Sequence, residues 1–496
     1  MGYQNIVRLE ELLSGWKDSN KFALKSNEKG ITYSQWYEEA GKISKMLSEG
    51  EEEVSQNIGV FLPNSIEYAI AYFGILISRR TIIPVYIKSV QAELESIIQY
   101  CGINFIITDS ENCDKVCAAI VKNNYKARVY CIDSGKTTVI SGDIVPPKAE
   151  NGEDVAIMLH TSGTTSSPKR VMLTHENLLA NVRSNISSLQ LNSEDKVLIW
   201  IPMMFGYCNT AQFLTHLYLG ASMVIMNEIF MPKRFFEVVQ NEKITNFTCV
   251  PTYLMIILNY RYYMKYDISS LRYICFGGGR MSEEHLKVIQ ERFSNVGFVQ
   301  TYGQTEASPR ITALLPQDSF RKLGSVGKPI PNIQVRIVDE KGNDVAVNQI
   351  GEIIVCGKNV MKGYYRREEI TRETIVDGWL HTGDMAFMDE ESYIYLAGRK
   401  KNMIISAGLN VYPEEIEEII SELENIKDVY VYGVPDDQLG EAVEAKVVLS
   451  DKTVDIQPLD IKRYCIEKMA QYKVPRNIYI VDEIAKTYNG KIRRVK

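Results

Sequence analysis

Residues 58–85 read IGVFLPNSIEYAIAYFGILISRRTIIPV. The stretch opens on an apolar run, Ile58–Leu62, of strand length. Pro63-Asn64-Ser65 then supplies the proline and side-chain oxygen that start a helix to about Ile77. After Arg79-Arg80, Thr81–Val85 is apolar again, so strand, helix and strand follow one another with short joins. Working outward, Ser89 opens another helix and Phe105-Ile106-Ile107 another strand. Upstream, Ile31-Thr32-Tyr33 is a strand pattern, and from Ser34 the residues Trp36, Ala40, Ile43 and Leu47 recur at helical spacing. This alternation implies α/β units around a mostly parallel sheet. Val155–Leu159, Val197–Ile201, Ser222–Met226, Arg272–Phe276 and Gly297–Tyr302 extend it. Val197–Ile201, Arg272–Phe276 and Gly297–Tyr302 are followed directly by Pro or Gly, and ligands of open α/β sheets bind beyond such strand ends.

After about Ser325 the texture changes to short alternating strands, including Gln334–Val338, Glu352–Cys356 and Tyr393–Leu396, which predicts a β-rich subdomain over 325–398. The last stretch has its own α+β pattern: Glu414–Leu423 helical, Val429–Val434 and Ala445–Leu449 strands, Leu459–Met469 helical, Ile478–Val481 strand. The expected organisation is therefore α/β: a large N-terminal domain, 1–398, of α/β sheets plus the β-rich subdomain, a hinge at 399–401, and a small α+β domain over 402–496. No internal repeat or low-complexity tract interrupts it, and no residues remain for a fused carrier domain.

With 496 residues, 45% of them hydrophobic and 24% charged, the chain has the mix of an ordinary globular protein of more than one domain. The 62 acidic and 56 basic side chains leave a net charge of −6, which offers no field for a phosphate backbone, so nucleic acid is not an expected partner. The nine cysteines are irregularly spaced, several inside apolar runs such as Ile274-Cys275-Phe276, and read as thiols of a reducing, cytoplasmic compartment. Cys113 and Cys117 lack the partners of a zinc site. The longest apolar run, Tyr68–Ile77, is too short for a membrane span, which needs about 20 apolar residues.

The strongest chemical signal is Thr161-Ser162-Gly163-Thr164-Thr165-Ser166-Ser167-Pro168-Lys169, just past the strand Val155–Leu159. Hydroxyls and backbone amides of a glycine-containing loop form a concave set of donors for a phosphate chain, and Lys169 adds a cation. The spacing is not that of a Walker A loop, and such clusters are also ordinary loops. Gly277-Gly278-Gly279 follows another strand and would let backbone approach a flat ring. Tyr302-Gly303-Gln304-Thr305-Glu306 offers an aromatic face, a hydroxyl and a carboxylate suited to Mg²⁺. Trp379–Asp384 and Gly398–Lys401 add an acidic and a basic group, and Asn489-Gly490-Lys491 presents a lysine on a glycine turn.

Together and in this order, these segments, with Gly351–Tyr365 and Tyr472–Arg476, resemble the adenylate-forming superfamily: acyl- and aryl-CoA synthetases, peptide-synthetase adenylation domains and firefly luciferase. The resemblance runs from about Ile31 to Lys491. It implies that Thr161, Ser162, Gly163, Thr164, Thr165 and Lys169 wrap the phosphates of ATP. It places Gly278, Gly279 and Gln300 at the adenine, Tyr302 stacked on it, and Asp384 and Arg399 at the ribose. Catalytic roles fall to Thr305 at the α-phosphate, Glu306 on Mg²⁺, Lys491 between substrate carboxylate and α-phosphate, and Lys401 at the hinge. In this family the small domain is mobile and turns between two half-reactions, and Gly408 matches a loop lining a tunnel for a pantetheine arm.

Departures from the family pattern bear on specificity. Ser166 and Arg170 stand where glycine is common, so the loop is stiffer and its exit carries an extra charge. Phe205 stands where many acyl-CoA synthetases have histidine. Phe205, Gly206, Tyr207, Thr252 and Arg310 are candidate pocket residues, with Met203, Met204 and Tyr253 beside them. The segment Ile201–Leu214 contains no aspartate. An α-amino acid substrate is therefore disfavoured, because a buried ammonium without a counter-ion costs several kcal/mol. The expected activity is an ATP-dependent carboxylic acid ligase that forms acyl-AMP and pyrophosphate and then passes the acyl group to the pantetheine thiol of CoA or of an acyl or peptidyl carrier protein. The alternatives are an amino-acid-activating enzyme, including a D-alanine-type ligase, and a nucleotide- or acyl-binding homologue without catalysis.

Overall fold

A computed structural model describes residues 6–27, 29–49, 54–144, 151–160, 169–279, 281–406, 409–436, 439–451, 453–454, 456–486 and 492–494. The opening stretch folds as its pattern dictates. Asn57–Phe61 and Thr81–Pro84 are parallel neighbours joined by the helix Ile66–Ile77, whose N-cap Ser65 accepts a hydrogen bond from Tyr68 N at 3.0 Å. Phe105–Thr108 lies parallel on the other side of Asn57–Phe61, and Val155–His160 parallel beyond Thr81–Pro84. Arg170–Thr174 and Gly363–Tyr364 continue that edge antiparallel, and Ala127–Cys131 and Lys136–Ile140 complete an eight-stranded sheet.

The α/β sheets expected of the N-terminal domain number two, and the strands divide between them. The second sheet has nine strands, and Ser222–Ile225, Lys196–Ile199, Asn246–Cys249, Tyr273–Gly277 and Gly297–Gly303 form its parallel centre. Phe22–Ser26 runs parallel to Ser222–Ile225, and Lys29–Thr32 folds back on Phe22–Ser26 as the edge. The first two strands of the chain thus sit on the second sheet, and the helices Tyr33–Ser48 and Ile66–Ile77 that follow bury apolar side chains. Their side chains share one core with residues of both sheets, including Val60 and Ile107 of one and Ile199 and Ile225 of the other. Trp36 anchors this core: it is fully buried, donates from Nε1 to Ala69 O at 3.1 Å, and packs against Phe73 and Phe213. The helices meet so closely at Gly74 that a Cβ there would stand 2.5 Å from Ile43 Cβ. Thr32, not Ser34, caps the helix Tyr33–Ser48, its hydroxyl accepting from Gln35 N.

The β-rich region forms a separate sheet of Gln334–Val338, Gly351–Cys356, Trp379–Met388 and Ile375–Val376, with Ile394–Arg399 paired to Trp379–Met388. A short helix, Glu368–Thr374, interrupts the expected run of strands. A 3₁₀ turn, Lys400–Asn402, leads into a fourth sheet of Leu409–Val411, Ile404–Ser406, Gly440–Leu449 and Ile426–Asp436, with Asn477–Ile480 parallel to Gly440–Leu449. It closes its own apolar core under the helices Pro413–Ser421 and Pro458–Lys468, around Ile416, Ile420, Ile461 and Cys465. No helix among the described residues is long and apolar enough to cross a membrane.

A buried histidine, His175, and a half-buried one, His160, make the fold sensitive to acid. His175 accepts a hydrogen bond at Nδ1 from Leu9 N at 3.0 Å, and burial with the nearby Arg8 and Arg79 pushes it down to about 3. His160 is pushed down to about 4 by burial and by Arg170. Both must take up a proton on unfolding once the pH falls below the unfolded value near 6.5, so their stability is present above that pH and lost on acidification. We expect His175→Gln, which keeps an acceptor for Leu9 N, to flatten the fall in stability between pH 6.5 and 4 by up to about 1.4 kcal/mol per pH unit. Urea midpoints at pH 7 and pH 5 test this; parallel pH profiles for the two proteins would contradict it.

Candidate active site

The strand Gly297–Gly303 ends in a 3₁₀ turn, Thr305–Ala307, and the chain returns antiparallel as Arg310–Leu314, with Gly303 opposite Arg310. The reversal is tight enough that a Cβ on Gly303 would stand 1.9 Å from Pro309 O. Two buried amides hold the turn. Asn181 Nδ2 donates to Ala307 O at 3.3 Å and to Arg310 O at 2.7 Å, and Asn359 Nδ2 donates to Ala307 O at 2.9 Å. Neither was legible in the sequence: Asn181 lies within a helix pattern, where an asparagine reads as a solvent-facing residue, and Asn359 lies in a loop where nothing local marks its distant partner. Thr305 and Glu306 are thereby fixed at the mouth of the nine-stranded sheet.

Glu306 is half-buried, and Tyr364 Oη donates to its Oε1 at 2.8 Å. Burial and that carboxylate push the Tyr364 phenol up, which keeps it the donor. The Lys169 Nζ stands 4.7 Å over the same ring. Tyr364, which the sequence did not single out, therefore carries the loop lysine on its face and the carboxylate on its hydroxyl. The second oxygen of Glu306 accepts no hydrogen bond among the described residues, and a carboxylate steadied on one oxygen with the other free fits a hard cation such as Mg²⁺.

Tyr302 and Asp384 meet from different sheets. Tyr302 Oη donates to Asp384 Oδ2 at 2.7 Å, and Arg399 Nε lies 2.7 Å from Asp384 Oδ1. Burial works against the Arg399 charge, but Asp384, Tyr302 and Glu306 together hold it above its usual range. Next to it, Gly383 N and Lys400 Nζ donate to the two oxygens of Glu352, at 3.1 Å each. Lys401 has its ammonium pulled below the usual range by burial and by the like charges of Arg399 and Lys169. The hinge lysine thus feels the same positive field as the loop lysine.

A Cβ on Gly277 would stand 2.5 Å from Thr301 O, so this glycine is required for the close approach of the two strands. Gly278 has φ +77 with nothing within 4 Å of its Cβ position, and Gly279 packs at 3.4 Å on Pro251. Beside them, Gln300 Oε1 is buried without a hydrogen-bond partner. An open glycine face next to an unpaired amide oxygen fits a flat base with an exocyclic amine, as in adenine.

Of the expected pocket residues, four come together. A Cβ on Gly206 would lie 3.3 Å from Leu159 Cδ1 and 3.8 Å from both Pro309 and Thr305, Tyr207 Oη is 2.7 Å from Thr301 Oγ1, and Phe205 packs on Tyr86 at 5.8 Å between ring centres. Arg310 is buried and donates from Nη1 to Asn185 Oδ1. Thr252 instead is exposed in the first turn of the helix Pro251–Leu258, whose next residue, Tyr253, stacks on Phe230 at 4.1 Å. Arg170 does not charge the loop exit: its guanidinium is 2% exposed and donates to Pro84 O at 3.2 Å. Thr161, Ser162, Gly163, Thr164, Thr165, Ser166, Gly408 and Lys491 lie outside the described residues. Among the described residues, no three His, Cys, Asp or Glu side chains gather as a metal site, and the Cys113 and Cys117 sulfurs stand 4.0 Å apart.

Comparison with known proteins decides what this arrangement belongs to. The family model described as AMP-binding enzyme matches residues 15–365, and that of the AMP-binding enzyme C-terminal domain matches 415–491. The chain belongs to the AMP-binding enzyme family. This AMP-binding enzyme is 38% identical over 348 residues to the putative acyl-CoA synthetase YngI of Bacillus subtilis, a match covering 69% of this chain and 63% of that one. It is 32% identical to the long-chain-fatty-acid–CoA ligase of the same organism over 96% of this chain and 91% of the other. Its fold matches o-succinylbenzoate CoA synthetase from Bacillus subtilis, solved with ATP and magnesium ion, at TM-score 0.86 and 24% identity over 97% of this chain and 98% of that one. Family membership makes it an AMP-forming ligase with a large N-terminal and a small C-terminal domain.

Tyr364→Phe keeps the ring under Lys169 and removes only the bond to Glu306. We expect the Mg²⁺ concentration for half-maximal pyrophosphate exchange to rise about 10-fold or more, the worth of one hydrogen bond to a charged group. Tyr364→Ala should in addition raise the KM for ATP. An unchanged Mg²⁺ dependence in Tyr364→Phe would contradict the coupling.

Proposed function

We propose that this AMP-binding enzyme activates a small carboxylic acid lacking an α-amine and delivers the acyl group to coenzyme A. A carboxylate oxygen attacks the α-phosphorus of ATP, the bond to the β-phosphate oxygen breaks, and pyrophosphate leaves. The CoA thiolate then attacks the carbonyl carbon of the acyl-AMP, and AMP leaves. The observation that carries this reading is the convergence of Lys169, Tyr364 and Glu306 with Tyr302, Asp384 and Arg399 on one mouth. Two anions must be brought together before one attacks the other, and a cluster of fixed cations around a metal-ready carboxylate offsets their repulsion.

Lys169, with Thr161, Ser162, Gly163, Thr164 and Thr165, holds the phosphates; Gly278, Gly279, Gln300 and Tyr302 hold the adenine; Asp384 and Arg399 hold the ribose. Glu306 holds Mg²⁺, which neutralises charge on the leaving phosphates, and Thr305 and Lys491 orient the α-phosphate. Lys401 marks the hinge and Gly408 the thiol tunnel. Coenzyme A rather than a carrier protein as acceptor is supported by the relatives, which include feruloyl-CoA synthases and an indoleacetate–CoA ligase, 30% and 35% identical.

Lys491→Ala should reduce acid-dependent pyrophosphate exchange on the order of a hundredfold or more while thioester formation from supplied acyl-AMP falls much less, since the lysine stabilises charge only in the first step. Equal losses would remove it from that role. In matched pairs such as phenylpropanoic acid and phenylalanine, or hexanoic acid and norleucine, the acid should lead by on the order of a hundredfold in kcat/KM. Amino acids winning across the pairs would favour the amino-acid-activating alternative.

A further inference from the structure

We infer that the acid carries a second carboxylate at its far end, received by Arg310. This rests on the reading of the site as an acid-activating one and names its substrate class. Arg310 is 2% exposed and begins the strand that returns from the Thr305–Glu306 turn, opposite Gly303. Its guanidinium donates from Nη1 to Asn185 Oδ1 and shares a hydrogen bond with the Cys275 thiol, while its Nε is buried with no partner. No Asp or Glu among the described residues forms an ion pair with it. The ionisable groups acting on the neighbouring Tyr207 are Arg310 itself, Cys275 and Cys249, with no acid among them.

The guanidinium is held from behind. Asn185 Nδ2 is committed to Ala211 O at 3.2 Å and Thr215 Oγ1 at 3.0 Å, which leaves its oxygen toward Arg310, while Asn181 fixes the Arg310 carbonyl. In front lie Tyr207 and the thiol of Cys275, with Tyr207 Oη bonded to Thr301 Oγ1 at 2.7 Å. A guanidinium cannot shed its proton, so burial without a counter-ion leaves a standing penalty that an incoming anion relieves. Its planar fork matches a carboxylate through two parallel hydrogen bonds. The reacting carboxylate belongs at Thr305, and Gly206, next to Tyr207, is 3.8 Å from Thr305 by its Cβ position. Arg310 follows Thr305 by five residues across the turn, and a short spacer between the two carboxylates is inferred from that.

The experiment measures pyrophosphate exchange with linear dicarboxylic acids from three to eight carbons, their monomethyl esters and the matching monocarboxylic acids, in the wild-type chain, Arg310→Leu and Arg310→Lys. We expect one dicarboxylic acid to exceed its own monomethyl ester by about 30-fold or more in kcat/KM, the usual loss when one partner of a buried charge pair is removed. Arg310→Leu should invert that ratio with the KM for ATP held within about threefold, and Arg310→Lys should keep part of it. Preference of the wild type for monoacids or esters, or an unchanged ratio in Arg310→Leu, overturns the inference and leaves acid activation standing. Should Arg310→Leu fail to fold, the wild-type ratio alone decides. Absence of exchange with every acid instead overturns the reading on which the inference rests.

Discussion

The Asp384 carboxylate is the tie on which the site depends. It accepts from Tyr302, at the end of the nine-stranded sheet, and pairs with Arg399, at the end of the β-rich sheet and the start of the join to the small domain. One side chain, 7% exposed, thereby couples three parts of the chain. A buried carboxylate is stable only when such partners satisfy it, and removing one leaves an uncompensated charge. The link also sets the separation of the ring at residue 302 from the cation at 399, and so the width of the nucleotide site.

Charge is distributed with a purpose. Lys169, Arg399 and Lys401 surround Glu306 and Asp384, and their mutual repulsion shows in the weakened hold of Lys401 on its proton. Substrates bring the missing negative charge. ATP and a carboxylate entering this field relieve repulsion already present in the free protein, which is how fixed dipoles and charges stabilise a reaction without reorganising during it. In the inference drawn for Arg310, the same device is displaced toward the acyl side.

Local signals were legible in the sequence and long-range ones were not. Ser65 caps its helix where its side chain predicted, because an N-cap is decided within four residues. The strand runs of the two α/β sheets were placed to within two residues for the same reason, whereas Ala445–Leu449 misses the first five residues of a strand that begins at Gly440. That the strands divide between two sheets depends on Phe22–Ser26 pairing with Ser222–Ile225, a contact no local pattern carries. Tyr302, Glu306, Asp384 and Arg399 were singled out through their motifs and their order, and the structure brings Tyr302, Asp384 and Arg399 into contact. Asn181, Asn359 and Tyr364 were missed because each acts through residues far away in sequence. Thr252 was misjudged because nothing local tells which face of a helix is exposed.

The central claim is that a carboxylate oxygen of the substrate becomes bonded to the α-phosphorus of ATP. It is tested most directly by incubating the protein with ATP, Mg²⁺, coenzyme A and a substrate acid labelled with ¹⁸O in the reacting carboxyl group, and weighing the nucleotide products. The account predicts AMP carrying one ¹⁸O atom and pyrophosphate carrying none. Label in inorganic phosphate, with ADP as the nucleotide product, would contradict it.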